Sequence, residues 1–466
     1  MLTLLHIYLN WSTARIFDKV TSMLDIQFIK DHQQAIAEAA KNKGSDFDVK
    51  KLLAKYNERV TLLQEIEELK SLKNDINDLI SSAKTEKERT EIIAKGKEIK
   101  EKLNKKEPLL ESAQQEYDVL MAQAPNIVSP DTPIGKSDAD NVVMGEFGVK
   151  PEFDFAPRTH IELGKILDII DLERGVKVAG YRGYYLKNEG ALLVMGMMLY
   201  AIQKMISKGY APMIPPTLVK GFSLFGSGYF KGLEYDGGVD EIYKIDTGDK
   251  DADGNLSKES KFLAGTAETA LLAYHSGEIL EEKYLPLKLA GFSQCYRSEI
   301  GSYGKDTKGM YRVHEFMKVE QVILTSADIE MSNKLQDEML TISEEMHREL
   351  GLPYRKLQIC TGDMSAGKYR SFDLEAWLPG MNRYGETGSA SSFLDWQARR
   401  LNVKYKDAKT GEKKYVYMLN NTALPSPRIL IAILENYQRA DGSVVVPEVL
   451  RPFVGKDLIS GKEYQN

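Results

Sequence analysis

The sequence predicts an α+β protein in which an N-terminal antiparallel helical hairpin precedes a domain of helices packed on a mainly antiparallel β-sheet. Three observations predict it. Residues 28–122 contain almost no Gly or Pro and carry two narrow apolar stripes at helical spacing. A proline-rich stretch at 125–140 then breaks all periodicity. Beyond it, aromatic and β-branched runs such as YKID and YVYML are interrupted by Gly-rich turns and by a few long helical patterns that do not alternate regularly with strands.

In the hairpin, Leu62, Ile66, Leu69, Ile76 and Leu79 form the first stripe, and Ile92, Ile99, Leu103, Leu110, Ala113, Tyr117 and Leu120 the second. SSAKTEKER between them is polar and suited to a turn. Each helix would bury its stripe against the other, although the same periodicity serves a plain dimerising coiled coil at least as well. Helices of about 40 residues, at about 1.5 Å each, would extend ~60 Å. Pro108 falls inside the second pattern and predicts a kink or a restart.

PNIVSPDTPIGKSDAD (125–140) reads as the linker, and the domain boundaries follow as an arm at 23–124, a linker at 125–149 and a second domain at 150–466. The long helical patterns of that domain lie at 190–209, 326–351 and 426–438. Residues 1–22 are expected to be a non-native or disordered extension. MLTLLHIYLNW is apolar, but it is short, no positive segment precedes it and no small-residue cleavage site follows. Met23 opens MLDIQFIKDHQQAI, which reads as the beginning of a domain, so an upstream start explains the first residues, with a targeting segment as the alternative.

A length of 466 residues allows two or three domains and at least one large core. The formal net charge of −6 means that any nucleic-acid binding must come from local patches. Cys295 and Cys360 are the only cysteines, which fits a reduced, cytosolic protein with neither a disulfide framework nor a Cys-built zinc site. No apolar run approaches the roughly 20 residues of a membrane span, and no membrane partner is expected.

Several motifs carry little. DKDADGN (249–255) begins like a calcium loop, but Ser260 stands where the twelfth-position Glu belongs, and a solvated hairpin turn explains it. GSGYFKG (226–232) is too loosely spaced for a dinucleotide fingerprint and opens no helix. No Walker-type lysine is present. His275 and His347 are isolated, and the six His and two Cys make no metal spacing.

The informative stretch is YRSEIGSYGKDTKGMYRVHEFMKVE (296–320), two strands joined by a Gly- and charge-rich loop. Alternation would place Arg297 and Glu299 on one face of the first strand, and Arg312, His314, Phe316, Lys318 and Glu320 on one face of the second. An exposed, salt-bridged hairpin explains the charges but not the whole pattern. The stretch closely resembles motif 2 of class II aminoacyl-tRNA synthetases, and its Arg-Val-His-x-Phe-x-Lys-x-Glu run resembles the seryl branch. LAGTAETALLAYHSGEIL (263–280) resembles that family's Thr-x-Glu loop. SFDLEAWLPGMNRYGETGSASSFLDWQARR (371–400) resembles its ATP- and Mg-binding strand, and NNTALPSPRILIAILENYQ (420–438) resembles motif 3. Motif 1 is weaker, with the helix at 190–209 and Pro215 or Pro216. The hairpin resembles the family's tRNA-binding arm. Four motifs in family order cover essentially everything from Met23 onward.

This resemblance to the seryl-tRNA synthetases implies ATP-dependent activation of L-serine to seryl-adenylate. It also implies transfer of the seryl group to the 3′ end of tRNA(Ser), with tRNA(Sec) a further candidate, by a cytoplasmic homodimer using Mg²⁺. Carried over position by position, Arg297 is the catalytic residue, its guanidinium fork holding the α-phosphate and the serine carboxylate together. Thr266, Ala267 and Glu268 match the amino-group loop, and Glu320 and Thr422 the positions that read the hydroxyl. Ser298, Glu299, Arg312, Val313, Phe316, Glu386, Thr387, Gly388, Ser389 and Arg428 join Arg297 as ATP-binding positions. Among them Arg312 serves the γ-phosphate side, Phe316 and Arg428 stack on the two faces of adenine, and Glu386 and Ser389 are the metal positions. Alanine would leave buried hydroxyl-reading groups unpaired, whereas threonine must be excluded by size. ETGSASSFLDWQARR departs from the family's Cys-containing form, with Gly388 where a small polar residue is usual, and Pro425 adds a second proline near Pro427. Both prolines suit the entry to a helix. A threonyl- or prolyl-type ligase and a synthetase-derived binding protein that no longer charges tRNA are the competing readings.

Overall fold

Asp48 and Thr85 start the two long helices of the N-terminal region. In the computed structural model, described for residues 24–250, 253–257, 259–300 and 308–461, the Asp48 carboxylate accepts from the N–H of Lys50 and Lys51 at the head of α1 (Val49–Ser82). Thr85 and Glu88 form a capping box at the head of α2 (Glu86–Gln123). At about 1.5 Å per residue the 34- and 38-residue helices run ~51 and ~57 Å. The expectation for residues 1–22 lies outside the described residues. The chain forms two compact units, one of Leu24–Lys41 and Ser45–Pro125, the other from Asn126 onward together with Asn42–Gly44.

In the first unit α1 and α2 pair antiparallel within one chain, so each stripe is covered without a partner molecule. Ile66, Ile76, Leu103, Ala113 and Leu120 are buried, and a Cβ on Gly96 would stand 3.3 Å from Ile76, which shows how closely the helices approach. Ion pairs Lys55–Glu116 and Lys106–Glu65 and the Arg59–Gln114 hydrogen bond fix the register from the rim. One expectation needs correction. Leu79, near the turn, is 52% exposed rather than in the seam. Of the kink or restart expected at Pro108, the restart is absent: α2 continues through it, and Asn104, whose carbonyl loses its partner, lies on the exposed side, where water can satisfy it.

The second unit is built on an eight-stranded sheet. Its strands in chain order are β1 (Val142–Phe147), β2 (Ala211–Met213), β3 (Leu287–Tyr296), β4 (Glu315–Thr325), β5 (Tyr354–Gln358), β6 (Arg370–Leu378), β7 (Arg383–Ser392) and β8 (Tyr417–Pro425). They lie in the order β1-β5-β6-β7-β8-β4-β3-β2, antiparallel except for the β2–β3 edge pair. Residues 125–149 are therefore more than a linker: they supply the edge strand β1, and the Asn126 side chain donates to Gly367 O and Phe393 O.

Helices α3 (His160–Ile166), α4 (Asn188–Ser207), α5 (Glu268–Ala273), α6 (Ile329–Glu349), α7 (Trp396–Leu401) and α8 (Ser426–Asn436) flank the sheet. The main core joins α4, α6 and α8 to the sheet through Met197, Met205, Met339, Ile342, Leu430 and Ile433, all almost fully buried. α4 is long and apolar enough to cross a bilayer by length and composition, but half of its most apolar 18-residue window is buried in this core. Lys250 and Leu256 bridge across the turn that resembled a calcium loop.

Candidate active site

Two β-bulges set the geometry of the site. Between β6 and β7, Asp373 opposes Ser389 and Leu374 opposes Gly388, but Glu375 opposes Glu386, which leaves Thr387 as the extra residue. Three residues apart on a regular strand, Glu386 and Ser389 would point to opposite faces. Their partners Glu375 and Asp373 share a face, so the bulge brings both onto it. The Thr387 hydroxyl is engaged by the neighbouring strand and by α6: it donates to Leu374 O at 3.2 Å and lies 2.7 Å from His347 Nε2, while His347 Nδ1 lies 2.8 Å from Ser343 O. Burial holds the His347 pKa down at about 4, keeping that imidazole neutral. Between β4 and β8, Ala423 is the extra residue, which sets Thr422 opposite Glu320 and Pro425 opposite Lys318.

An open cleft lies over this surface. It brings together Arg297, Glu299, Arg312, Val313 and Phe316 from the motif 2 hairpin with Glu386, Thr387, Gly388, Thr422 and Arg428. Strand alternation did not produce the motif 2 part. β3 ends at Tyr296, Glu299 takes a positive φ of 54°, and Arg312 and His314 precede β4. What carries Arg297 onward is one more backbone pair, its N–H donating to His314 O at 2.9 Å. The Arg297 guanidinium donates through Nε to Gly265 O at 3.3 Å and sits 5.6 Å from the Phe316 ring centroid. The Glu299 carboxylate accepts from Arg312 at 3.2 Å and pairs with buried Arg182 at 3.5 Å.

Arg428, in the first turn of α8, donates to Glu386 O at 2.9 Å and pairs with the Glu386 carboxylate at 3.1 Å, which holds that carboxyl below its usual range. Pro425 closes β8 as the helix cap and Pro427 sits in the first turn, so neither removes a needed N–H. A Cβ at Gly388 would meet nothing closer than 3.4 Å, so this departure from the family pattern leaves space rather than strain.

Beside the cleft is a buried polar pocket. Glu320 and Thr266 are fully buried, and Thr266 Oγ1 donates to Glu320 Oε2 at 2.9 Å. Lys318 pairs with the same oxygen and donates to Thr422 Oγ1 at 3.3 Å, linking pocket to cleft. Asn420 Nδ2 lies 3.0 Å from Glu320 Oε1 and 2.8 Å from Glu268 Oε2, and Gln397 on α7 donates to Glu268 Oε1 at 2.9 Å. Burial, and then the charge of Glu320, push the Glu268 carboxyl up to about 7. Ala267 packs on Gly291, the β3 partner of Glu320, where a Cβ would come within 2.8 Å of it.

Ser298 and Ser389 do not line the cleft. Ser298 N–H donates to Glu241 O at 3.2 Å, and Ser389 bonds Asp373. Asp373, Asn420 and Gln397 were not identified from sequence, although all three stand inside quoted motifs. Tyr229, whose hydroxyl lies 3.5 Å from Glu268, sits in the Gly-rich segment set aside above.

Comparison with known proteins bears on the fold and the family. Residues 23–128 match the seryl-tRNA synthetase N-terminal domain, and residues 243–437 match the tRNA synthetase class II core domain (G, H, P, S and T). The chain is 39% identical to the serine–tRNA ligase of Treponema denticola over 94% of its own length and 100% of that protein's. It is also 39% identical to that of Deinococcus radiodurans, over 94% and 99%. Among solved structures, the seryl-tRNA synthetase of Pyrococcus horikoshii, complexed with ATP, superposes with a TM-score of 0.83 at 34% identity, covering 95% of this chain and all of that one. The cytoplasmic serine–tRNA ligase of Naegleria fowleri, in complex with AMP, gives 0.78 at 30% over the same shares. A Giardia lamblia prolyl-tRNA synthetase, at 16% identity and a TM-score of 0.53, shares the fold alone. With its N-terminal and core domains both matched and relatives aligned along nearly its whole length, the chain belongs to the seryl-tRNA synthetase family of class II serine–tRNA ligases.

Proposed function

We propose that the chain activates L-serine with ATP and passes the seryl group to tRNA(Ser), as its family membership and the arginine-lined cleft beside a buried carboxylate pocket support. The serine carboxylate attacks the α-phosphorus, a P–O bond forms as the bond to the β-phosphate bridge breaks, and pyrophosphate leaves. The carboxylate is already ionised, so no general base is needed, and the protein supplies position and charge. Arg297 holds both reacting anions, Arg312 the γ-phosphate side, and Phe316 and Arg428 the adenine. In the second step the terminal ribose hydroxyl of tRNA attacks the seryl carbonyl and AMP departs. Serine-dependent ATP–pyrophosphate exchange, run against a panel of amino acids, tests the first step; exchange driven better by another amino acid refutes it. Aminoacylation of tRNA(Ser), and of tRNA(Sec) in parallel, tests the second.

Glu386, which lines the cleft, and the Asp373–Ser389 pair on the same sheet face beside it offer the oxygen donors that Mg²⁺ takes. Asp373 Oδ1 is buried with no partner among the described residues, and burial together with the Glu386 charge pushes the Asp373 carboxyl up to about 7, the condition a divalent cation relieves. When bound, the ion would neutralise charge developing on the phosphates. The family homodimer has support in α4, whose Leu192, Met195, Leu199 and Ile206 form an exposed apolar stripe. A cytoplasmic location has support in the buried, unpaired Cys295 and Cys360.

Two predictions follow from the pocket. In Glu320→Gln, Thr266 and Lys318 lose the charge that orders them, and the serine-over-alanine preference in exchange should narrow about tenfold, the worth of ~1.4 kcal/mol. Equal losses for the two amino acids would show that Glu320 does not read the hydroxyl. The second concerns Glu268. An ammonium ligand binds its ionised form, so serine KM should rise as pH falls through about 7, with ATP KM steady. Glu268→Gln should flatten that profile; an unchanged slope would remove Glu268 from amino-group binding.

A further inference from the structure

We propose that His160 is a positioning residue for the ATP side of the cleft, holding the Met310–Arg312 backbone through a buried dyad with Glu435; this rests on the activation reaction proposed above. His160 opens α3, Glu435 lies near the end of α8, and the two are 2% and 0% exposed. Glu435 Oε1 accepts from the His160 backbone N–H at 2.9 Å and from its Nδ1–H at 3.0 Å, while Oε2 accepts from Gly380 N–H at 2.9 Å. With the proton on Nδ1, the Nε2 lone pair is free for the peptide N–H of Met310, which donates to it at 3.2 Å. A Cβ at Gly309 would stand 2.2 Å from that nitrogen, and Gly309 has a φ of +74°, so the approach needs glycine on two counts.

The residue next to Met310 is the one that braces the cleft. Tyr311 O accepts from Arg428 Nε at 3.4 Å, and its hydroxyl accepts from Glu386 N–H at 3.0 Å. Its ring centroid lies 4.6 Å from the guanidinium carbons of both Arg428 and Arg383. One helix, α8, thus fixes this segment at two points about two turns apart, through Arg428 directly and through Glu435 by way of the imidazole. An apolar side chain in place of the imidazole could fill its space and leave Glu435 to the His160 and Gly380 N–H groups. It could not accept the Met310 N–H, which is itself buried and would otherwise be orphaned.

The test is serine-dependent exchange by the full chain, with ATP and serine varied separately. His160→Ala should lower kcat/KM for ATP about 30-fold while serine KM stays within about twofold, because the displaced atoms belong to the ATP side. Amide hydrogen exchange at Met310 should accelerate in the same variant. His160→Gln, whose Oε1 can stand near the Nε2 position, should recover activity to within about threefold of the parent. If His160→Ala does not fold, His160→Phe fills the core, keeps Glu435 for the His160 and Gly380 N–H groups and removes only the Met310 acceptor, and should show the same split. Unaltered ATP parameters in a folded variant, equal losses toward ATP and serine, or a Gln variant no better than Ala would each overturn the proposal. Those outcomes are distinct from failure of the functional reading itself, which would appear as no serine-dependent exchange in the unmodified protein.

Discussion

Arg297→Ala should remove serine-dependent pyrophosphate exchange, lowering it about 10²–10⁴-fold, while the protein stays folded. The guanidinium has few structural duties: one long hydrogen bond to Gly265 O and a contact with the Phe316 ring, and its Nη groups bond no acceptor among the described residues. Losing those contacts costs about 1 kcal/mol. Losing two charge-assisted hydrogen bonds, at roughly 1.5–3 kcal/mol each, raises the barrier by ~3–6 kcal/mol, which is the range stated. Arg297→Lys keeps the charge but not the planar fork and should remain severely impaired. Exchange by folded Arg297→Ala at a tenth of the parent rate would refute the role.

The particular residues show why some of the site was legible in advance and some was not. Motif spacing located Arg297, Phe316, Glu386 and Arg428 because local order in a strand, turn or helix start is written in neighbouring residues. Which face a residue takes was less accessible. Strict alternation would have separated Glu386 from Ser389, and only the bulge at Thr387 reunites them; a bulge depends on the partner strand, which is distant in sequence. Thr387 shows the converse, since its hydroxyl is engaged by His347, forty positions away on α6. Asn420, Gln397 and Lys318 escaped assignment for a related reason. Each is a polar residue whose role is to satisfy another buried polar group, and that need arises only once Glu268 and Glu320 are packed together. In the arm, the stripe predicted the intrachain seam except at Leu79, where the helices are about to end and little remains opposite to cover it.

Removing most of the arm should separate the two reactions. Every residue of the cleft lies between Arg297 and Arg428, in the second unit, so adenylate chemistry should not depend on the hairpin. Lys73, Lys84, Lys87, Lys95, Lys97 and Lys100 are exposed there, whereas Lys70 and Lys102 are paired with Glu107 and Glu98. Such cations reach phosphates on a helical RNA without reading bases, so the shape of the tRNA is expected to matter more than its sequence. Replacing Leu62–Glu111 by a short Gly/Ser closure leaves the Lys55–Glu116 and Arg59–Gln114 contacts intact, so the remaining helix ends stay in register. Pyrophosphate exchange by this variant should remain within about twofold of the parent, and charging of tRNA(Ser) should fall by at least about 10²-fold, through tRNA binding. Salt supplies an independent check: raising ionic strength should weaken tRNA binding steeply in the parent and only weakly in the deletion, because the phosphate contacts are already gone. Collapse of exchange in a folded deletion, or charging that persists, would mean that the hairpin serves adenylate formation or that tRNA is held elsewhere.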